Sequence, residues 1–163
     1  MKKITLTLLL LFASLNADVF DKGNVTLGIL AGSGSISTDQ GDKQYSLLGA
    51  SADYFFIDNL SIGIGYTQWF GSDPSISQVT IPLNYYYPLN ETWKPYAGTF
   101  YRHTYISAPY KDFSSYGVKA GAAIKISKKA YLGAGWVQEY YSECSNFHEC
   151  SSGYPELLFI FTF

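Results

Sequence analysis

An all-β fold is predicted for this chain: an eight-stranded antiparallel up-and-down transmembrane β-barrel with short periplasmic turns and longer extracellular loops. Three observations predict it. Eight stretches alternate apolar with small or polar residues at the period of two that a strand imposes on its side chains. The connections between them alternate short and long, as in barrels that cross an outer membrane. The chain also opens with Lys2 and Lys3, an apolar run over residues 4–12, and then small and polar residues to Ala17, the order of a secretory signal peptide.

Cleavage is expected after Ala17, which leaves residues 18–163 as a single barrel domain behind a signal peptide of residues 1–17. The apolar run is too short to span a membrane as a helix, which takes about 20 residues. Of 11 basic residues, Lys2 and Lys3 leave with the leader, so nine face 13 acidic ones, a formal net charge of −4. That balance excludes nucleic acid as the expected partner. Aromatic residues make up 18% of the chain and 15 of them are Tyr, while charged residues are only 15%. Tyrosine suits a boundary where one end of the ring is wet and the other apolar.

The first strand is read over residues 24–35, with Val25, Leu27, Ile29 and Ala31 on one face and Thr26, Gly28 and Gly32 on the other. Residues 34–44, rich in Gly, Ser and Asp, read as a loop. The second strand, residues 45–56, carries Leu48, Ala50, Ala52 and Tyr54 against Leu47, Gly49, Ser51 and Asp53, and Ile57-Asp58-Asn59 forms a tight turn. The third, residues 60–70, sets Ile62, Ile64 and Tyr66 against Ser61, Gly63, Gly65 and Thr67. After a loop at 71–77, the fourth strand covers residues 78–87; Pro82 within it cannot donate to the ladder and predicts a bulge.

A short turn at 89–92 leads to the fifth strand, residues 93–102 or slightly beyond, and a longer loop covers 104–113. The sixth, residues 115–126, alternates Val118, Ala120, Ala122 and Ile124 with Gly117, Lys119, Gly121 and Ala123. Ser127-Lys128-Lys129 turns the chain into a seventh strand with Leu132, Ala134 and Trp136 opposite Tyr131, Gly133, Gly135 and Glu139. The eighth is residues 155–163, with Leu157, Phe159, Phe161 and Phe163 on one face. Most strands approach the roughly 9 to 11 residues that a tilted strand needs to cross a bilayer.

The glycines and charges decide which face looks inward. An eight-stranded barrel has an interior just wide enough for its own side chains, so small residues beside long polar ones belong inside. A Lys or Arg facing lipid at mid-membrane would cost about 2–4 kcal/mol. The polar face is therefore the expected lumen, and Arg102, Lys119, Glu139 and Glu156, on four consecutive strands, are expected to meet there as an ionic cluster whose formal charges cancel. A structural plug or a selectivity element for small solutes are the two roles open to it.

Cys144 and Cys150 in an exported chain predict a disulfide closing a small loop, with a chain-entropy contribution of roughly 2 kcal/mol. His148 between them raises the alternative of a metal site, but no fourth ligand is evident, so no metal is expected. Catalysis is not expected either. Only His103 and His148 are available as bases, and no phosphate loop, dinucleotide fingerprint or zinc-protease motif is present. No cofactor is implied.

The leader, the alternating strands, the stretch Trp93-Lys94-Pro95-Tyr96-Ala97-Gly98, the strand-turn-strand pattern Tyr54-Phe55-Phe56-Ile57-Asp58-Asn59-Leu60-Ser61 and the terminal phenylalanine together resemble the small eight-stranded bacterial outer-membrane barrels, the group containing OmpX-like and OmpW-like proteins. That resemblance implies residence in the cell outer membrane among lipid and lipopolysaccharide, as a monomer. It also implies that Phe159, Phe161 and Phe163 serve as the signal read by the barrel-assembly machinery. The function it implies is structural or surface-interacting, with a narrow conduit for small or apolar solutes as the alternative. A lipid-modifying enzyme of the deacylase type and a soluble lipocalin-like binder are weaker readings, and fold alone selects no ligand.

Overall fold

The computed structural model describes residues 18–38, 41–71, 74–142 and 150–162, with backbone only at 34–38 and 41–43. Eight strands, β1 (Val25–Thr38), β2 (Gly41–Ile57), β3 (Leu60–Phe70), β4 (Ile76–Tyr86), β5 (Trp93–Ile106), β6 (Phe113–Ser127), β7 (Ala130–Tyr141) and β8 (Ser151–Thr162), form a closed barrel in sequence order. Every neighbouring pair is antiparallel, and β1 closes on β8 from Thr26↔Thr162 to Ala31↔Leu157. Closure removes the free edges that a lone sheet would expose, so the backbone can cross a solvent that offers no hydrogen bonds.

Side-chain parity follows the sequence pattern. Ile62, Ile64 and Tyr66 are exposed on the outer surface of β3, whereas Ser61 and Thr67 are buried inside. Elsewhere Ile29, Leu48, Ile81, Leu83, Val118, Leu132 and Leu157 also lie exposed and together make an aliphatic belt. Tyr54, Tyr85 and Trp93 stand below that belt, toward the short turns, and Tyr66, Tyr101, Tyr116, Trp136 and Tyr140 stand above it. Such a surface would drive aggregation in water. In a bilayer the aliphatic belt meets the hydrocarbon and the aromatic girdles meet the two interfaces.

Three expectations about elements are corrected. The stretch 34–44 is not a loop: Gly34↔Tyr45 to Thr38↔Gly41 continue the β1–β2 pairing. These pairs rise past the last rungs that β1 shares with β8 and β2 with β3, Ala31↔Leu157 and Ser46↔Phe70, so they form a two-stranded ribbon. Its glycines and serines resemble loop composition, yet Ile36 and Thr38 are β-branched and fit extended backbone. Likewise the loop predicted at 104–113 shrinks to 107–112, and β8 begins four residues before Pro155.

Pro82 makes no bulge. The β3–β4 ladder omits the rungs at Gly63 and Ile64 and resumes at Gly65↔Thr80 in unchanged register, so the missing donor is tolerated as a gap. The register shifts lie instead beside two short turns, at Phe55/Ile57 and Lys125/Ser127.

The short-turn end is filled by a segment ahead of β1. Val19 and Phe20 are fully buried in a cluster with Phe55, Tyr86, Tyr96, Ala123, Tyr131 and Ile160. The Phe20 ring lies 4.4 Å from Tyr86, 4.7 Å from Tyr131 and 5.6 Å from Phe55, centroid to centroid. Backbone bonds hold the segment in place: Gly23 N donates to Phe55 O (2.7 Å) and Asn59 N to Phe20 O (2.7 Å). Asn59 takes φ 65°, a left-handed conformation that Asn accepts more readily than most residues, and so makes the β2–β3 turn tight enough to meet Phe20.

Candidate functional site: the barrel lumen

Above the aromatic cluster the interior is polar. The strand register sets two levels: Arg102 lies opposite Ser115, which is two residues along β6 from Gly117, the partner of Glu139. Lys119 lies opposite Gly98, and Glu156 opposite Gly135, nearer mid-barrel. The four charged residues therefore form two pairs at two depths.

The upper pair is tight. Arg102 Nη1 donates to Glu139 Oε2 at 2.7 Å and to the Tyr154 hydroxyl at 2.6 Å, and that hydroxyl donates to Glu139 Oε2 at 3.0 Å, closing a triangle. Arg102 Nε donates to Thr80 Oγ1 (3.0 Å), Ser115 donates to Glu139 Oε1, and the guanidinium lies 4.7 Å from the centroid of Phe100. Each charge is thus met by hydrogen bonds as well as by its counter-ion, the condition for keeping an ion pair buried.

The lower pair is looser. Lys119 Nζ is 3.8 Å from Glu156 Oε1, which also accepts a bond from the Tyr96 hydroxyl at 2.8 Å. Asp53, 9% exposed, accepts from Ser51 Oγ (3.1 Å) and, at the long distance of 3.4 Å, from Asn84 Nδ2. A cavity of about 80 Å³ opens among Asp53, Asn84, Thr80, Arg102, Lys119 and Glu156. Higher up, Trp69 Nε1 donates to Gln78 Oε1 (3.0 Å), and Gln78 Nε2 to Thr104 Oγ1 (3.2 Å). At the opposite end Lys94 pairs with Asp18 at 3.0 Å and lies 5.5 Å from the Phe20 ring centroid.

Sequence reasoning missed Thr80, Tyr96, Ser115 and Tyr154 as partners in these networks, and the entire Val19-Phe20 closure. Tyr154 shares the parity of Glu156 on β8, a signal lost because the predicted strand began at Pro155. Asp53 has inward parity and is a third carboxylate in this part of the lumen.

The remaining predicted residues lie apart from the lumen. Phe159 and Phe161 sit on the outer face of β8 with ring centroids 5.6 Å apart, and Phe163 lies outside the described residues. Cys144, and with it the expected bridge to Cys150, also lies outside them, as do His148 and the signal peptide of residues 1–17. His103 is on the outer face of β5, with Nδ1 3.0 Å from Ser114 Oγ and its ring edge-on to Tyr105. Tyr101 also reaches Ser114 Oγ (2.8 Å), but among the described residues no carboxylate is shown bonded to this histidine, the third group that orients a catalytic base.

A closed eight-stranded barrel with a lipid-type exterior and a polar lumen defines an integral membrane barrel of the outer-membrane class. The chain belongs to the outer membrane protein beta-barrel domain family, whose model matches residues 4–148. Among solved structures, the N-terminal β-barrel domain of Pseudomonas aeruginosa OprF superposes with a TM-score of 0.67 at 15% identity, covering 87% of this chain and 98% of that one. Neisserial surface protein A gives 0.64 at 18% identity over 87% and 98%, and Ail, the attachment invasion locus protein of Yersinia pestis, gives 0.54 at 13% over 86% and 98%. At these identities the likeness is one of fold. No curated protein matches the sequence significantly.

Proposed function

We propose that this protein is a monomeric outer-membrane barrel with a structural or surface-interaction role, its lumen plugged rather than conducting. The observation that carries this reading is double closure: the aromatic cluster around Phe20 at one end, and toward the other the Arg102–Glu139–Tyr154 layer with the Lys119–Glu156 pair below it. In this role the ionic residues are structural. The outer surface then does the work, its aromatic girdle and upper loops facing lipopolysaccharide and other cells. Phe159, Phe161 and Phe163 serve the assembly machinery during insertion. From the surface and attachment proteins of like fold the reading takes architecture alone.

The test is solute retention by liposomes together with current across planar bilayers. Protein-containing liposomes are expected to retain small ions and sugars as well as empty ones, and bilayers to show no steady channel current. A second reading, a conduit for small or apolar solutes, is favoured by the missing β3–β4 rungs at Gly63 and Ile64, opposite Pro82 and beside the cavity. Solute leakage or stepwise currents from the wild-type protein would establish that reading and overturn the plug.

A further inference from the structure

We infer that the bond between Ala17 and Asp18 is the processing site of this chain, and that the α-ammonium group freed there is structural. It locks the segment that fills the short-turn end of the barrel. Asp18 is pinned at every polar atom. Its Oδ2 pairs with Lys94 Nζ at 3.0 Å, and its Oδ1 accepts from Val19 N (2.7 Å) and, at 3.4 Å, from the Tyr131 hydroxyl. Its carbonyl accepts from Asn24 Nδ2 and from Asp21 N (3.1 Å). Its own backbone nitrogen donates to Asp21 Oδ2 at 2.7 Å.

Charge gives the last of these contacts its meaning. Two carboxylates, Asp18 and Asp21, lie in this clasp with one side-chain cation, Lys94, which is 7% exposed and committed to Asp18. Asp21 has no side-chain cation within 4.0 Å among the described residues. Beside it stands the backbone nitrogen of Asp18, a neutral amide while the leader is attached. Hydrolysis of the Ala17–Asp18 bond by a leader peptidase adds water across it: the carboxylate leaves with Ala17, and the amine stays on Asp18 and is largely protonated at neutral pH. The same nitrogen then carries a full charge, and its bond to Asp21 becomes charge-assisted. Two cations now face two carboxylates. A start one residue earlier would leave an amide at this position, and a start one residue later would remove Asp18 and its pairing with Lys94. Val19 and Phe20, the next two residues, are fully buried, so the clasp acts directly on the segment they anchor.

The first measurement is the intact mass of the protein extracted from outer membranes after expression of the full chain. A first residue of Asp18 is expected, and any other overturns the inference. The second measurement isolates the charge. The mature protein is acetylated selectively at its α-amine, whose pKa lies below that of lysine; this keeps the N–H donor and removes the charge. Acetylation is expected to lower the urea midpoint in vesicles by about 0.2–0.5 M, the scale of one partly exposed ion pair, and to have no effect in Asp21→Asn. An unchanged wild-type midpoint, or an equal effect in Asp21→Asn, overturns the clasp. If that variant does not fold, the wild-type comparison is repeated at high salt, which screens a partly exposed pair. A difference that shrinks supports the clasp, and one that persists in full refutes it.

Discussion

Arg102 shows how a single position in this lumen is over-determined. Its guanidinium meets Glu139, Tyr154 and Thr80 and lies against Phe100, so removing Glu139 leaves a buried charge without its counter-ion. Breaking a buried pair by neutralising one partner typically costs about 3–5 kcal/mol, whereas replacing both partners by apolar residues can cost far less. Glu139→Gln is therefore expected to destabilise the barrel by about 3 kcal/mol, and Arg102→Met with Glu139→Leu by clearly less, as measured by urea unfolding in vesicles. A double variant as unstable as the single one would mean that the pair itself holds the wall together. Parity in the sequence is enough to place these charges inside. It cannot show that Tyr96 reaches Glu156, because that contact depends on Gly121 and Gly135 leaving room for the tyrosine hydroxyl across the lumen.

The element that fills the short-turn end of the barrel is the short segment before β1. Phe20 loses all its exposure among four aromatic rings, and the ion pair of Lys94 with Asp18 spans the same end of the barrel. Truncating a buried Phe typically costs about 3–5 kcal/mol. Phe20→Ala is expected to lower the unfolding midpoint accordingly while leaving the strand signal in circular dichroism unchanged. A midpoint equal to wild type would show that the segment rests on the barrel without stabilising it. The eight strands and their inward faces were legible in the sequence because alternation is a local property, and each strand was found within a few residues of at least one observed end. The buried segment before β1 was not legible: Val19-Phe20 is too short to show a period, and its burial comes from residues far along the chain. The β1–β2 ribbon was hidden for the opposite reason, since its Ser and Gly content argues for a loop while pairing across the hairpin overrides composition.

The barrel is inside-out relative to a soluble protein, and neighbouring positions on β3 test that inversion most directly. Ile64 is 59% exposed in the middle of the aliphatic belt, whereas Gly65 faces the lumen, where an added methyl would meet Ser51 Cβ at 3.5 Å and Ala50 O at 3.6 Å, ordinary van der Waals distances. In water an exposed isoleucine is replaced by lysine at little cost and often with a gain in solubility. In lipid the same change places a charge against hydrocarbon, for which about 2–4 kcal/mol is expected near the midplane. Ile64→Lys is thus expected to lower folding stability in phospholipid vesicles by that amount, and Gly65→Ala to change it by less than about 1 kcal/mol, the scale of a tolerated strand glycine substitution. Reversible urea titration with the gel mobility shift as readout measures both. Tolerance of lysine at 64 together with loss of folding from alanine at 65 would invert the two faces, and with them the assignment of the polar interior that holds Arg102, Lys119, Glu139 and Glu156.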